Sequence, residues 1–250
     1  MIKDDRIAVQ FHDVSYLLNQ RYLVSNLNFN IPRGEILVLL GRSGSGKTTT
    51  MKLINRLLNP TSGEVIVEGI STQEWNPIKL RRQIGYVIQD IGLFPHFTIE
   101  RNIGLVPALE NWKPKQIKTR VYELLQLVGL NPEQFAKRYP HELSGGQKQR
   151  VGVARALAAD PPLLLMDEPF GALDPITRIE IQREFRQLQQ QLKKTVVFVT
   201  HDIQEAFILA SRIALMQEGK MILIDTPSNF LKSSNPEAQK FLQCLGKDEV

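Results

Sequence analysis

Between residues 35 and 58 the chain changes character twice in a short stretch, and few folds accommodate that change. Glu35-Ile-Leu-Val-Leu-Leu40 is a short apolar run with the length of a buried strand. Gly41-Arg-Ser-Gly-Ser-Gly-Lys-Thr48 follows, and Thr48 to Leu58 then lacks Pro and Gly and reads as a helix. Strand, Gly-rich loop and helix in direct succession are a unit of α/β architecture. The loop fits G-x-x-x-x-G-K-[ST], in which glycines let successive backbone N–H groups close around phosphates. Lys47 then reaches the β- and γ-phosphates and Thr48 offers its hydroxyl to Mg²⁺. The phosphates would sit at a helix N-terminus. Gly41, Arg42, Ser43, Gly44, Ser45, Gly46, Lys47, Thr48 and Thr49 are therefore the candidate phosphate contacts. Taken without its flanks, the loop also reads as a Gly/Ser-rich turn that binds nothing.

Bulk properties set outer limits. The chain has 250 residues, enough for one large domain or a core with an inserted lobe. Its single cysteine, Cys244, excludes an intrachain disulfide framework and a cysteine-rich zinc site, which suits a reducing compartment. Met1-Ile-Lys-Asp-Asp-Arg6 lacks the apolar core of a signal peptide. Runs such as Leu163 to Met166 fall far short of the ~20 residues a membrane helix needs, so any membrane role calls for a separate partner. The net charge of +5 reads as a mildly basic surface. Its clusters, Lys79 to Arg82 and Lys113 to Arg120, are interrupted by apolar and neutral residues and are no nucleic-acid footprint by themselves.

Along the chain, Ile7 to Phe11 and Leu27 to Ile31 alternate like half-buried strands, and Glu64 to Glu68 reads as another. Gly85 to Gln89 is a strand with Gln89 at its end, and the pattern is helical from about Ile91 to Ala159. Ile117, Val121, Leu124, Leu125 and Val128 form one apolar helix face, bracketed by Pro114 and Gly129. After Pro161-Pro162 the strand–helix alternation returns: strands at Leu163 to Asp167 and Thr195 to Thr200, helices at about Thr177 to Lys193 and Ile203 to Ala210. Ile213 to Met216 and Met221 to Asp225 pair across a Glu218-Gly219 turn. No internal repeat or low-complexity segment is present. The expectation is an α/β core of about 1–90 and 160–225 around a central, mainly parallel sheet, with an N-terminal antiparallel β part. A helical lobe, about 91–159, is inserted into it, and a short helical tail, about 226–250, follows.

Four later features narrow the chemistry. Ser144 of Leu143-Ser-Gly-Gly-Gln147 can cap the helix-like run Lys148 to Ala158, and Gly145 and Gly146 let its N-terminus approach a ligand. Leu163-Leu-Leu-Met-Asp167-Glu168 is an apolar strand ending in two carboxylates. Strand alternation would point them opposite ways: Asp167 suits Mg²⁺, and Glu168 can polarise a water for in-line attack on the γ-phosphate. His201 follows a strand at the sheet edge where ligands bind, and can contact the γ-phosphate. Gln89 can touch Mg²⁺ or the water and report the nucleotide's state to the lobe. Each feature alone has an ordinary structural reading: a capped helix, solvated acids, a structural histidine.

At these residues the chain resembles an ABC transporter ATPase, and the resemblance covers nearly its whole length. Gly41 to Thr48 (Walker A), Gln89 (Q-loop), Leu143 to Gln147 (signature), Leu163 to Glu168 (Walker B) and His201 (switch histidine) stand in family order, and Ala172-Leu-Asp174 looks like the D-loop. The resemblance implies a P-loop NTPase core that uses ATP and Mg²⁺, with two copies facing head to tail. Each ATP is then clamped between one copy's Walker A loop and the other's signature helix, with Ser144 and Gly146 as the trans contact; Gly145, Gln147 and Asp174 are further candidate nucleotide contacts. Glu168 is implied as catalytic base, Thr48, Gln89 and Asp167 as Mg²⁺ partners, and His201 as γ-phosphate sensor. One position departs: the family stacks an aromatic on adenine where ungapped counting reaches Leu17 or Leu18. Tyr16 and Tyr22 flank it, and Tyr16 is the candidate after a small loop shift.

Met51 to Arg56, Leu80 to Gln89, Ile91 to His96 and Phe170 to Thr177 look like ATPase subunits of glycine betaine, choline and related osmoprotectant importers. The implied partners are a second copy of the chain, integral membrane permease subunits and, through the permease, a substrate-binding protein. The implied location is peripheral, on the cytoplasmic face of the cell membrane. Many members of that subgroup carry C-terminal CBS modules, which are not expected in this chain. Import of amino acids or other small solutes, lipid or drug export, and a soluble ATPase acting on nucleic acid or ribosomes are the alternatives. Against the last, the chain has no coiled-coil insert and no cysteine-rich module, and no nucleic acid is expected as a partner.

Overall fold

In the computed structural model, residues 6–89, 91–171 and 173–245 are described. Ala172 therefore lies outside the described residues, as do Met1 to Asp5 and the last five positions of the expected tail. The elements in chain order are β1 (Ile7–Leu18), β2 (Arg21–Pro32), β3 (Ile36–Leu40), α1 (Lys47–Ile54), β4 (Ser62–Val67), β5 (Ile70–Ser71), α2 (Pro77–Arg82) and β6 (Ile84–Val87). Then come α3 (Ile99–Ile103), α4 (Leu105–Leu109), α5 (Pro114–Leu127), α6 (Pro132–Phe135), α7 (Gly145–Leu157), β7 (Leu163–Asp167) and α8 (Pro175–Leu192). The chain closes with β8 (Thr195–Thr200), α9 (Ile203–Leu209), β9 (Arg212–Gln217), β10 (Lys220–Asp225), α10 (Pro227–Phe230) and α11 (Pro236–Leu242). They group into two compact units, one of residues 1–81 and 193–250, the other of residues 82–192.

The first unit holds an antiparallel sheet, β2-β1-β4-β5, and the strands around β3. Leu18 pairs with Arg21, leaving Asn19 and Gln20 as a two-residue turn with φ of 48° and 62°. Positive φ at both positions is the type I′ geometry that matches strand twist. β3 runs parallel to β8 on one side and to β9 on the other, and β10 returns antiparallel to β9. All five residues of β3 and all six of β8 are buried, as expected of parallel strands covered on both faces. Met51, Leu53 and Ile54 of α1 are buried in the same unit, each such side chain contributing roughly 1.5–3 kcal/mol of transfer free energy.

In the second unit β6 runs parallel to β7. Its helical core is built from Ile99 and Ile103 of α3, Val121, Leu124 and Leu125 of α5, and Val151, Ala154 and Leu157 of α7, all buried. Gly85 is required where β6 passes α7: an added Cβ would collide with the Ala156 carbonyl oxygen.

Several sequence expectations are corrected. β1 extends to Leu18 rather than Phe11, because register shifts near Asp13 (φ 50°) interrupt the alternation without ending the pairing. α1 stops at Ile54, not Leu58. Arg56 takes a left-handed φ of 52°, and the Leu57 and Leu58 amides turn back to the Lys52 carbonyl. β6 ends at Val87, so Gln89 lies in an exposed turn beyond it. Residues 92–98 form a loop rather than helix, and α7 begins at Gly145, before the expected Lys148. β5 and α2 are short elements with no periodic signal long enough to read.

Candidate active site

In the first unit β3 delivers the chain to Gly41, where an added Cβ would collide with the Met216 carbonyl oxygen and lie 2.6 Å from Ser45 Oγ. Gly46 has φ +102°, and a Cβ there would come within 2.6 Å of the Leu23 carbonyl oxygen. Both are glycine because backbone passes where a side chain would stand. At Gly44 (φ +77°) a Cβ would meet nothing within 4 Å, so that edge of the loop is open. Lys47 is buried, and its Nζ donates to the carbonyls of Gly41 (2.7 Å) and Arg42 (2.9 Å). The Ser45 amide donates to the Arg42 carbonyl at 3.2 Å, closing the turn.

α1 begins at Lys47 without a side-chain cap and without an acidic residue in its first turn. The positive end of its dipole therefore faces the loop. Ser45 Oγ is buried and, among the described residues, has no hydrogen-bond partner. An orphaned hydroxyl, a lysine head held by loop carbonyls and a glycine-built turn that is open at Gly44 fit a bound polyphosphate.

His201 is exposed in a bend directly after β8. A local network fixes that bend: Thr200 Oγ1 donates to buried Glu205 at 2.6 Å and accepts from the Asp202 amide at 2.9 Å. Asp202 caps α9 by accepting from the Gln204 amide at 2.8 Å. Sequence reasoning missed Thr200, Asp202 and Glu205, although Asp-x-x-Glu ahead of an apolar run is a helix-start signature. Tyr16 is half-buried on β1 opposite Val24, whereas Leu17, Leu18 and Tyr22 at the same hairpin end are exposed.

The second unit carries the other candidates. Ser144 caps α7 by accepting from the Gln147 amide at 3.3 Å, and the Gln147 side chain accepts from the Ser144 amide at 3.0 Å. This capping box commits both side chains and leaves the helix entry at Gly145 and Gly146 bare. A Cβ on Gly146 would lie 2.8 Å from Thr177 Cγ2, so α7 and α8 approach closely there. Asp174 is exposed and accepts from the Thr177 amide at 3.0 Å, which holds its carboxyl below the usual range.

Asp167 is buried at the end of β7. Burial, followed by the nearby Asp167 charge, pushes the Tyr86 hydroxyl up to about 12, so Tyr86 stays neutral beside it. The expected strand alternation does not reach Glu168. That residue leaves the extended region with φ +43°, so a turn, not a pleat, sets its direction. Arg155 was also missed. It donates from both terminal nitrogens to the Ile91 and Gly92 carbonyls at 2.5 Å, bracing the segment after Gln89 against α7. Burial lowers its pKa, but an arginine remains charged.

Gly41 to Thr49, Tyr16 and His201 thus belong to the first unit, and Gln89, Ser144 to Gln147, Asp167, Glu168 and Asp174 to the second. Among the described residues no three His, Cys, Asp or Glu side chains gather as a metal cage. One or two carboxylates plus phosphate oxygens is the donor set that suits Mg²⁺.

Residues 24–171 match the family model described as ABC transporter. The choline transport ATP-binding protein OpuBA of Bacillus subtilis (strain 168) is 54% identical over 227 residues, 91% of this chain and 59% of that protein. The osmoprotectant import ATP-binding protein OsmV of Salmonella typhimurium is 54% identical over 251 residues, 100% of this chain and 64% of that protein. The chain therefore spans less than two thirds of the length of either curated relative. Among solved structures, the dimeric post-hydrolysis state of the ATP-binding cassette MJ0796 bound to ADP and Pi superposes with a TM-score of 0.77 at 36% identity. It covers 87% of this chain and 98% of that one.

Proposed function

The chain belongs to the ABC transporter family, and we propose that it is the ATP-hydrolysing subunit of an importer for a quaternary-amine osmoprotectant of the glycine betaine or choline type. One observation carries the solute class: identity of 54% across the whole chain to a protein named for osmoprotectant import. The nucleotide assignment rests on the phosphate loop, with its buried Lys47, its orphaned Ser45 hydroxyl and glycines at 41, 44 and 46.

In this reading the loop N–H groups and Lys47 bind the β- and γ-phosphates, and Thr48, Gln89 and Asp167 hold Mg²⁺. Mg²⁺, when bound, neutralises charge on the phosphate oxygens. Glu168 orients the attacking water and takes up its proton; His201 positions the γ-phosphate. Tyr16, at the β1–β2 hairpin, is the candidate against adenine. Two copies act head to tail, so that Ser144 and the bare α7 entry of one copy meet the nucleotide held by Lys47 of the other. That MJ0796, bound to ADP and Pi, is dimeric supports a second copy as partner. No helix among the described residues is long and apolar enough to cross a membrane. Membrane permease subunits would carry the solute, fed by a substrate-binding protein, with this chain peripheral on the cytoplasmic side. The 91–159 segment would dock the permease, and ATP-driven closure of the dimer would supply the energy.

The test is gene deletion followed by uptake of radiolabelled betaine and choline at high salt, with a panel of amino acids alongside. Loss of betaine or choline uptake supports the proposal. Unchanged uptake of both, with loss of another solute, rejects the solute class and leaves the ATPase assignment standing.

A further inference from the structure

The C-terminal segment of the first unit reaches back to the phosphate loop. Phe230 of α10 is buried and packs edge-on against Phe207 of α9, with ring centroids 6.1 Å apart, and Ala238 of α11 is buried as well. The Asn235 side chain caps α11, accepting from the Glu237 and Ala238 amides. The Glu237 side chain, only 7% exposed, receives Arg42 Nε at 2.8 Å and Lys240 Nζ at 3.0 Å. The Lys240 hydrogen bond, and after it the Arg42 contact, hold the Glu237 carboxyl below the usual range despite its burial.

Arg42 is not a bystander in the loop. Its carbonyl accepts from both Lys47 Nζ and the Ser45 amide, so it anchors the lysine head and the loop turn together. Arg42 and Glu237 lie 195 positions apart in sequence. A nearly buried carboxylate on a docked helix therefore grips the side chain of a residue whose backbone sets the position of Lys47.

We propose that Glu237 is a positioning residue for nucleotide binding: it holds Arg42, and through Arg42 the phosphate loop, so that α11 and the nucleotide affect one another. The inference rests on the reading that Gly41 to Thr48 binds ATP. Coupling between two sites is reciprocal, so bound nucleotide must in turn stabilise α11. Lys240 supplies the control, since it pairs with the same carboxylate, whereas the phosphate-loop residue that Glu237 holds is Arg42.

The experiment titrates a fluorescent ATP analogue with Mg²⁺ into the full chain and into Glu237→Gln, Arg42→Ala, the double variant and Lys240→Ala. It also follows amide exchange across residues 236–242 with and without nucleotide. Glu237→Gln and Arg42→Ala should each raise Kd roughly three-fold, the scale of a partly exposed ion pair. The double variant should go no further than the worse single one, because the two residues act as a unit. Lys240→Ala should stay near wild type, and KM for ATP should rise in Glu237→Gln while kcat holds. Nucleotide should slow exchange in 236–242 in the wild type but not in Arg42→Ala. An unchanged Kd in Glu237→Gln, strictly multiplicative single variants, or equal effects from Lys240→Ala would overturn the proposal. A wild-type chain that binds no analogue would instead overturn the nucleotide reading, and this inference with it.

Discussion

The amide of Gly219 donates to the carbonyl of Ser45 at 3.0 Å, so the tip of the β9–β10 hairpin supports the phosphate loop from the side. The same residue's carbonyl accepts from the Ser25 amide at 2.8 Å, joining β2 to that contact. The Glu218-Gly219 pair, legible as a turn in the sequence, is thus also a brace for the nucleotide loop.

Gly219→Ala is expected to loosen that brace. Gly219 has φ +76°, and an added Cβ would stand 2.8 Å from the Leu23 carbonyl oxygen, so β2 or the turn must shift. The cost is about 1–3 kcal/mol, from a strained φ plus a backbone collision. Tm should fall by roughly 2–12 °C at this chain length, and MgATP should recover less stability than it does in the wild type. Thermal unfolding with and without MgATP measures both, and an unchanged Tm would remove the brace from the account.

Glu168→Gln should abolish turnover while leaving ATP binding intact. The amide keeps the side-chain shape but cannot take the proton of the attacking water, and a general base contributes typically 10²–10⁴-fold. With hydrolysis blocked, ATP and Mg²⁺ should hold two copies together. Phosphate release and sedimentation with ATP are the measurements; near wild-type turnover would take Glu168 out of the catalytic role.

Ser144→Arg should disable the nucleotide site carried by the opposite copy. The capping box leaves the α7 entry bare, and a long cationic side chain there would block closure and remove the cap. Mixed with Lys47→Ala, the variant should regain activity, because one composite site in the heterodimer keeps both intact parts. Heterodimers that form and show no activity would place each whole site within one chain.

Much of the local structure around the candidate site is legible because its signals are local. β7 and β8 occupy the expected spans: β7 is an apolar run after Pro161-Pro162, and β8 is rich in β-branched residues. Ser144 caps α7 as its sequence suggests, since cap and partner are three residues apart. What escaped depends on backbone twists or distant partners. Arg56, not a glycine, takes the left-handed position that ends α1, and Glu168 does the same after β7. Arg42 with Glu237, and Arg155 with Ile91 and Gly92, meet across 195 and about 64 positions, where no periodicity reports on pairing.

The last prediction concerns residues 92–102, within the 91–159 segment proposed to dock the permease. Asn102 of α3 is fully buried, and its side chain accepts from the Phe94 amide at 2.8 Å. It donates to the carbonyls of Phe94, Phe97 and Thr98 at 3.1 Å each. Asn102 thereby ties the loop to α3, although Phe94 stays 40% exposed beside His96 and Phe97. An apolar side chain left in water on a preformed loop suits a short partner helix, because little ordering cost remains for docking. Asn102→Ala removes the organiser and leaves buried carbonyls unanswered, costing about 1–3 kcal/mol. It should weaken co-purification with the membrane subunits far more than it lowers ATP turnover of the isolated chain. A cysteine at Phe94, in a Cys244→Ser background because that thiol is exposed, should crosslink to the permease in the assembled transporter. Crosslinks only to other copies of this chain, or an Asn102→Ala transporter that assembles at wild-type yield, would show that the permease docks elsewhere.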